Sequence, residues 1–256
     1  MKDRFSITTY SVQSILGLID HGDIATPEIQ RPFVWDSTKV RDLMDSLYHG
    51  YPTGYLITWK NPDVKIKGGG TAEGKTVLID GQQRVTAMMA ALAGLPVLND
   101  DYESKRIKIA FNPLYDGDDT PFAVLTPFID KDPAWISDIS VLFAPDFSSF
   151  KFITDYIAAN EGCNPDAVSS RIDGLKAIAA RQLGCIAVDA DCTIDEVTEI
   201  FIRINSKGAV LSQADFAMSK IAADEEHGGN MLRKAIDYYC HLAGKPEFWE
   251  TVRAHD

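Results

Sequence analysis

The chain has 256 residues and a mass of 28.2 kDa, room for one large domain or two small ones. At 45% hydrophobic and 24% charged residues it can build a core, which excludes wholesale disorder, collagen and coiled coil. Its net charge of −12 argues against a protein that coats nucleic acid, where phosphate neutralisation dominates nonspecific affinity.

Val12, Ile15, Leu16 and Ile19 recur at helical spacing between Ser11 and Asp20, and Gly22 ends that helix. Ile24 to Ile29 reads as a short extended segment around Pro27. Asp36 or Ser37 caps a second helix whose buried stripe is Val40, Leu43, Met44 and Leu47. Gly50 stops it, Pro52 forbids resumption, and Tyr55 to Trp59 is a strand. Thr76 to Ile79 is a buried strand, Asp80-Gly81 a turn, and Gln82 to about Ala93 a helix closed by Gly94 and Pro96. Arg106 to Phe111 alternates as a strand, with Ile107, Ile109 and Phe111 on one face. Asn112 to Phe150 has no clear period. Phe152 to Ala159 and Ala167 to Leu183 read as helices, and Cys185 to Asp189 as a short strand. Thr193 and Glu196 form a capping box that opens a helix to Ile204; Ser212 opens another, and Asn230 to Leu242 is a third. The layout is α+β, a small mixed sheet with flanking helices over 1–125, then a mainly helical extension over 126–256.

Charge is uneven along the chain. Residues 1–110 hold 13 basic and 13 acidic side chains, residues 111–256 hold 12 and 24. Any nucleic-acid contact is therefore expected to be local or made through another domain. No apolar run approaches the ~18 residues of a membrane span, and the charged first residues carry no signal-peptide core, so a cytoplasmic protein without membrane partners is expected. Cys163, Cys185, Cys192 and Cys240 are widely spaced, which indicates reduced structural thiols rather than disulfides or a zinc site.

Gly69 to Thr76 matches the Walker A pattern G-x-x-x-x-G-K-[ST]. A phosphate loop needs a helix directly after it, because the helix N-terminus supplies the amides that hold phosphate. Val77-Leu78-Ile79 follows instead, so a glycine-rich hairpin loop is the better reading. The stronger signal is Asp80-Gly81-Gln82-Gln83-Arg84, where a strand delivers a carboxylate to the first turn of a helix. Free amides and the helix dipole favour an anion there. Arg84 offers a planar fork for phosphate, Asp80 can hold Mg²⁺ or orient a water, and Gln82 or Gln83 can position a nucleophile or a ribose. The alternative is an ordinary capped junction, with Asp80 as N-cap and Arg84 as a surface charge. In Gln30-Arg31-Pro32-Phe33-Val34-Trp35, the alternate aromatics anchor the segment in the core or stack on a base, and Arg31 is a phosphate candidate or an ion-pair partner. Phe201 to Gly208 ends one helix and begins a turn, with Arg203 and Lys207 near its end. Two helices joined by a glycine turn also suggest helix-turn-helix, but one lysine, Lys220, in a stretch with Asp215, Asp224, Glu225 and Glu226 makes a poor recognition helix.

Taken together, Ile79–Arg84, Pro27–Trp35 and Phe201–Gly208 resemble the N-terminal domain family of GmrSD-type, modification-dependent restriction systems, with a ParB/sulfiredoxin-like core. The resemblance runs from about Ser11 to Lys220. It implies a module that binds and hydrolyses a nucleoside triphosphate with Mg²⁺ in defence against phage. Asp80, Gly81, Gln82, Gln83 and Arg84 would form the nucleotide centre, Gln30 and Arg31 would line it, and Arg203, Asn205 and Lys207 would close it. Modified DNA would be a partner, directly or through a nuclease domain or subunit, and a homo-oligomer is compatible with it. Many members continue into an HNH-type nuclease; here His21, His49, His227, His241 and His255 are scattered, so no nuclease is expected within this stretch. A ParB-like binding sensor without turnover is the competing reading, and a Walker A NTPase built on Lys75 and Thr76 a third.

Overall fold

The computed structural model describes residues 3–25, 33–60, 74–98, 104–117, 120–205 and 228–244. The chain divides into two compact units, Met1–Cys192 and Thr193–Asp256. The first is built on a mixed five-stranded sheet, with strands β1 (Phe5–Ser11), β2 (Ile24–Ala25), β3 (Tyr55–Trp59), β4 (Thr76–Asp80) and β9 (Gln182–Val188). The spatial order is β1-β9-β3-β4-β2. β9 runs antiparallel to β1 and parallel to β3, β3 is antiparallel to β4, and β4 is parallel to β2. Helices α1 (Val12–Asp20), α2 (Ser37–His49) and α3 (Gln82–Leu92) pack on one sheet face.

Period and burial agree in these helices. Ser11 caps α1 by accepting from the Ser14 amide at 3.1 Å, and Val12 and Ile15 are buried. Asp36 caps α2 by accepting from the Lys39 amide at 2.7 Å, and Val40, Leu43, Met44 and Leu47 are buried as the spacing predicts. Gly50 closes α2 at φ +75°, the left-handed conformation that favours glycine. Val85, Met88 and Leu92 of α3 meet these residues and Leu56, Leu78 and Cys185 of the sheet in one core. The opposite sheet face carries Ile57, Trp59, Val77, Ile186 and Val188, all buried, so the central strands are apolar on both sides.

Two short antiparallel pairs flank this core: β5 (Val97–Leu98) with β6 (Ser104–Lys105), and β7 (Ile109–Phe111) with β8 (Phe122–Val124). Tyr48 of α2 packs its ring against both Phe111 and Phe122, with centroids 5.5 and 5.6 Å away. Helices α4 (Ser149–Ala159) and α5 (Pro165–Lys176) complete the first unit. In the second unit, α6 (Ile194–Asn205) starts with the expected capping box: the Thr193 amide donates to Glu196 Oε2 at 2.8 Å, and the Glu196 amide to Thr193 Oγ1 at 3.3 Å. A further helix spans Gly229–Gly244. Among the described residues no helix is long and apolar enough to cross a membrane.

Three sequence expectations change. Phe5–Ser11 is a strand that the sequence reading did not contain; its pairing with Gln182–Val188 joins the two ends of the first unit. The helix expected over 167–183 ends at Lys176, passes through a 3₁₀ turn at Ala177–Ala180, and gives way to β9 at Gln182. The strand expected over 106–111 shortens to Ile109–Phe111, and Ala110 is as buried as Ile109 and Phe111, so the expected alternation of faces is absent there. The expected helix from Ser212 lies outside the described residues.

Candidate functional site

The Asp-Gly-Gln-Gln-Arg segment spans the junction of β4 and α3. Asp80 ends the strand, Gly81 occupies the helix N-cap position at φ +94°, and Gln82, Gln83 and Arg84 form the first turn. Only glycine suits this place. A Cβ on Gly81 would come within 2.3 Å of Leu56 Cδ2 and 3.1 Å of Arg84 Nη2, in a backbone conformation that side chains disfavour. The capped-junction alternative is thereby overturned: the N-cap is Gly81, not Asp80, and it has no side chain with which to accept the first amides.

Arg84 is not a surface charge either. Its side chain is 18% exposed, and its guanidinium donates from Nη1 to Thr53 O at 2.6 Å, and from Nη2 to Tyr55 O at 2.6 Å and Asp80 Oδ2 at 3.3 Å. Gly54, at φ +84°, makes room for it; a Cβ there would lie 2.5 Å from Nη1. Burial pulls the guanidinium below its ordinary pKa, and the Asp80 carboxylate partly offsets this. One planar fork thus ties the turn to the loop that opens β3. That loop, Thr53-Gly54-Tyr55, belongs to the site and was missed in the sequence, where its only trace is a Pro-x-Gly turn before a strand.

The two glutamines hold the turn from other directions. Gln82 Nε2 donates back to Leu78 O at 2.8 Å, and Gln83 Oε1 accepts from the Val34 amide at 3.0 Å. The second bond brings the end of the Gln30–Trp35 motif to the start of α3. Phe33 is 8% exposed, and Trp35 packs against the core with Lys39 Nζ 4.7 Å from its ring centroid, so these aromatics anchor the segment. Gln30 and Arg31 lie outside the described residues, as does Lys207. Arg203 stands near the end of α6 in the second unit, 77% exposed, its Nε donating to Glu199 Oε1 at 2.7 Å; Asn205 is the last residue of that helix.

Asp80 remains 31% exposed, and Arg84 is the side chain that meets it among the described residues. A single, partly exposed carboxylate fits Mg²⁺ bound through one protein oxygen and substrate phosphates, the usual mode for that ion. No group of three or more His, Cys, Asp or Glu gathers among the described residues. The Walker-like segment lacks the required helix: Gly74 has φ +73°, and Thr76 opens strand β4 and pairs with Ile24.

Fold and site define a mixed α+β module in which a strand–turn–helix junction displays one carboxylate beside a glycine-capped helix start. The profile of the GmrSD restriction endonuclease N-terminal domain matches residues 12–222, and the chain belongs to that family. It is accordingly a restriction and phage-defence module. Comparison with curated proteins returned no match.

Proposed function

We propose that the Asp80–Arg84 turn binds a nucleoside triphosphate with Mg²⁺, and that this module hydrolyses it within a DNA-modification-dependent restriction system. The observation that carries the reading is the pairing of a partly exposed Asp80 carboxylate with a helix start whose N-cap is glycine, both held in place by the part-buried Arg84 guanidinium. The first amides of α3 and the helix dipole suit a phosphate oxygen. Asp80 would hold Mg²⁺, which neutralises phosphate charge when bound. Gln82 Nε2 is occupied by Leu78 O, and its Oε1 has no partner among the described residues, so it can accept a hydrogen bond from an attacking water. Arg84 is a positioning residue in this account: it shapes the turn rather than meeting phosphate. Gln30, Arg31, Arg203, Asn205 and Lys207 are proposed to bind phosphate on the strength of the family resemblance. Modified DNA would be met directly or through a nuclease domain or subunit.

The test is phosphate release from each of the four common NTPs with Mg²⁺ by wild type, Asp80→Asn and Gln82→Ala. The reading expects release by wild type and a loss of about 10²-fold or more in Asp80→Asn. Binding without release by wild type would instead favour the ParB-like sensor, and equal release by all three proteins would remove the turn from the chemistry.

A further inference from the structure

Tyr55 is the first residue of β3, at the sheet end where the turn lies, because β4 runs antiparallel to β3 and delivers Asp80 there. Its register partner on β9 is Gly184, and the ring lies over that glycine: a Cβ on Gly184 would come within 2.6 Å of both Cδ1 and Cε1 of Tyr55. The glycine thus backs the ring, while the residue stays 51% exposed. Tyr55 alternates with Ile57 and Trp59, which are buried, so exposure on this side of β3 is confined to the end beside the turn. Neighbouring Tyr51 is also exposed, but its ring already stacks on His49 at 5.5 Å and 18°. Tyr55 has no ring partner among the described residues.

The backbone of Tyr55 reaches the site through one atom. Arg84 Nη2 donates to Tyr55 O at 2.6 Å and to Asp80 Oδ2 at 3.3 Å, so the residue that bears the ring and the carboxylate share a donor. A flat aromatic surface backed by Gly184 of β9 and open on one side, one strand away from β4 and its turn, suits a planar heterocycle joined through a sugar to a phosphate chain at the turn. Covering Gly184 alone requires only an apolar side chain.

We infer that Tyr55 is the base-stacking platform of the site, so that the ligand is a nucleotide recognised by its base as well as its phosphates, rather than an inorganic polyphosphate. The inference rests on the nucleotide reading of the turn. Because every base has a π-face, stacking gives affinity with little choice among bases.

Calorimetric titration of the full chain with the Mg²⁺ complexes of ATP, GTP, CTP, UTP and inorganic tripolyphosphate tests it, in wild type, Tyr55→Phe and Tyr55→Leu. Leucine keeps Gly184 covered and removes the π-face, so loss of fold does not confound the result. Wild type and Tyr55→Phe should bind at least one NTP more tightly than tripolyphosphate. Tyr55→Leu should weaken that NTP roughly tenfold or more and leave tripolyphosphate unchanged. Unchanged NTP binding in Tyr55→Leu, or an equal loss for NTP and tripolyphosphate, overturns the stacking role alone. Failure of wild type to bind any of the five ligands overturns the nucleotide reading and this inference with it.

Discussion

Replacing Arg84 by Ala would leave the carbonyls of Thr53 and Tyr55 without their donor and remove the partner of Asp80. Thr53 O is part-buried and Tyr55 O is reached by water, so each lost bond costs about 0.5–1.5 kcal/mol, and urea denaturation should show a loss on the order of 1–3 kcal/mol. Arg84→Lys should recover little of this, because one ammonium cannot span both carbonyls with the planar fork's geometry. A surface arginine would lose less than about 0.5 kcal/mol, and that result would contradict the clamp. Gly81→Ala meets a different obstacle at the same place. The left-handed backbone costs about 1–2 kcal/mol for a residue with a Cβ, and the clash with Leu56 adds to it. The loss should therefore exceed that of a glycine-to-alanine change in an open turn such as Gly162, where no atom lies within reach of the new methyl. Cys185 is buried, and burial pushes its thiol above the ordinary value while a hydrogen bond with Thr58 Oγ1 at 3.4 Å pulls the other way. Native-state alkylation should label exposed Cys240 and spare Cys185 until the chain is unfolded.

Helices with a side-chain cap and a single apolar stripe form where the sequence places them, since both signals act within a few residues. Asp36→Ala in α2 tests the local part: loss of the bond to the Lys39 amide should cost about 1 kcal/mol and leave nucleotide binding unchanged. The β4–turn–α3 junction was legible for the same reason, its glycine and its change of period being local. What could not be read depends on distant partners. Phe5–Ser11 is uncharged and short, and becomes a strand because Gln182–Val188 lies beside it. The helix expected to run to Leu183 stops at Lys176 because the chain must turn and enter the sheet between β1 and β3. Similarly, nothing near Arg84 in sequence names Thr53 or Tyr55 as its acceptors, 31 and 29 residues away. The carboxylate, the glycine and the glutamines could be read; the loop that completes the site could not.

Several cations of the first unit are spent on the fold rather than on partners. Arg181 donates to the carbonyls of Leu47 and Tyr48 at the end of α2, Arg106 to Ala90 O and the Asp138 carboxylate, and Arg171 to Pro113 O. Arg84 follows the same habit. With these guanidiniums turned inward and a net charge of −12, the molecule offers duplex DNA little counterion release. Electrophoretic shift of unmodified duplex should therefore show weak binding, with a shallow dependence of log K on log salt set by few phosphate contacts; tight binding with a steep slope would contradict this. A nucleotide is proposed to sit at the Asp80–Arg84 turn. The most direct measurement is thermal unfolding of wild type and Asp80→Asn with Mg²⁺ and each NTP in turn. A ligand at 100 times its Kd adds about 2.7 kcal/mol, a rise on the order of 5–10 °C for a chain of this size. The account predicts such a rise for at least one NTP in wild type and its loss in Asp80→Asn. No rise with any NTP, or the same rise in both proteins, would contradict it.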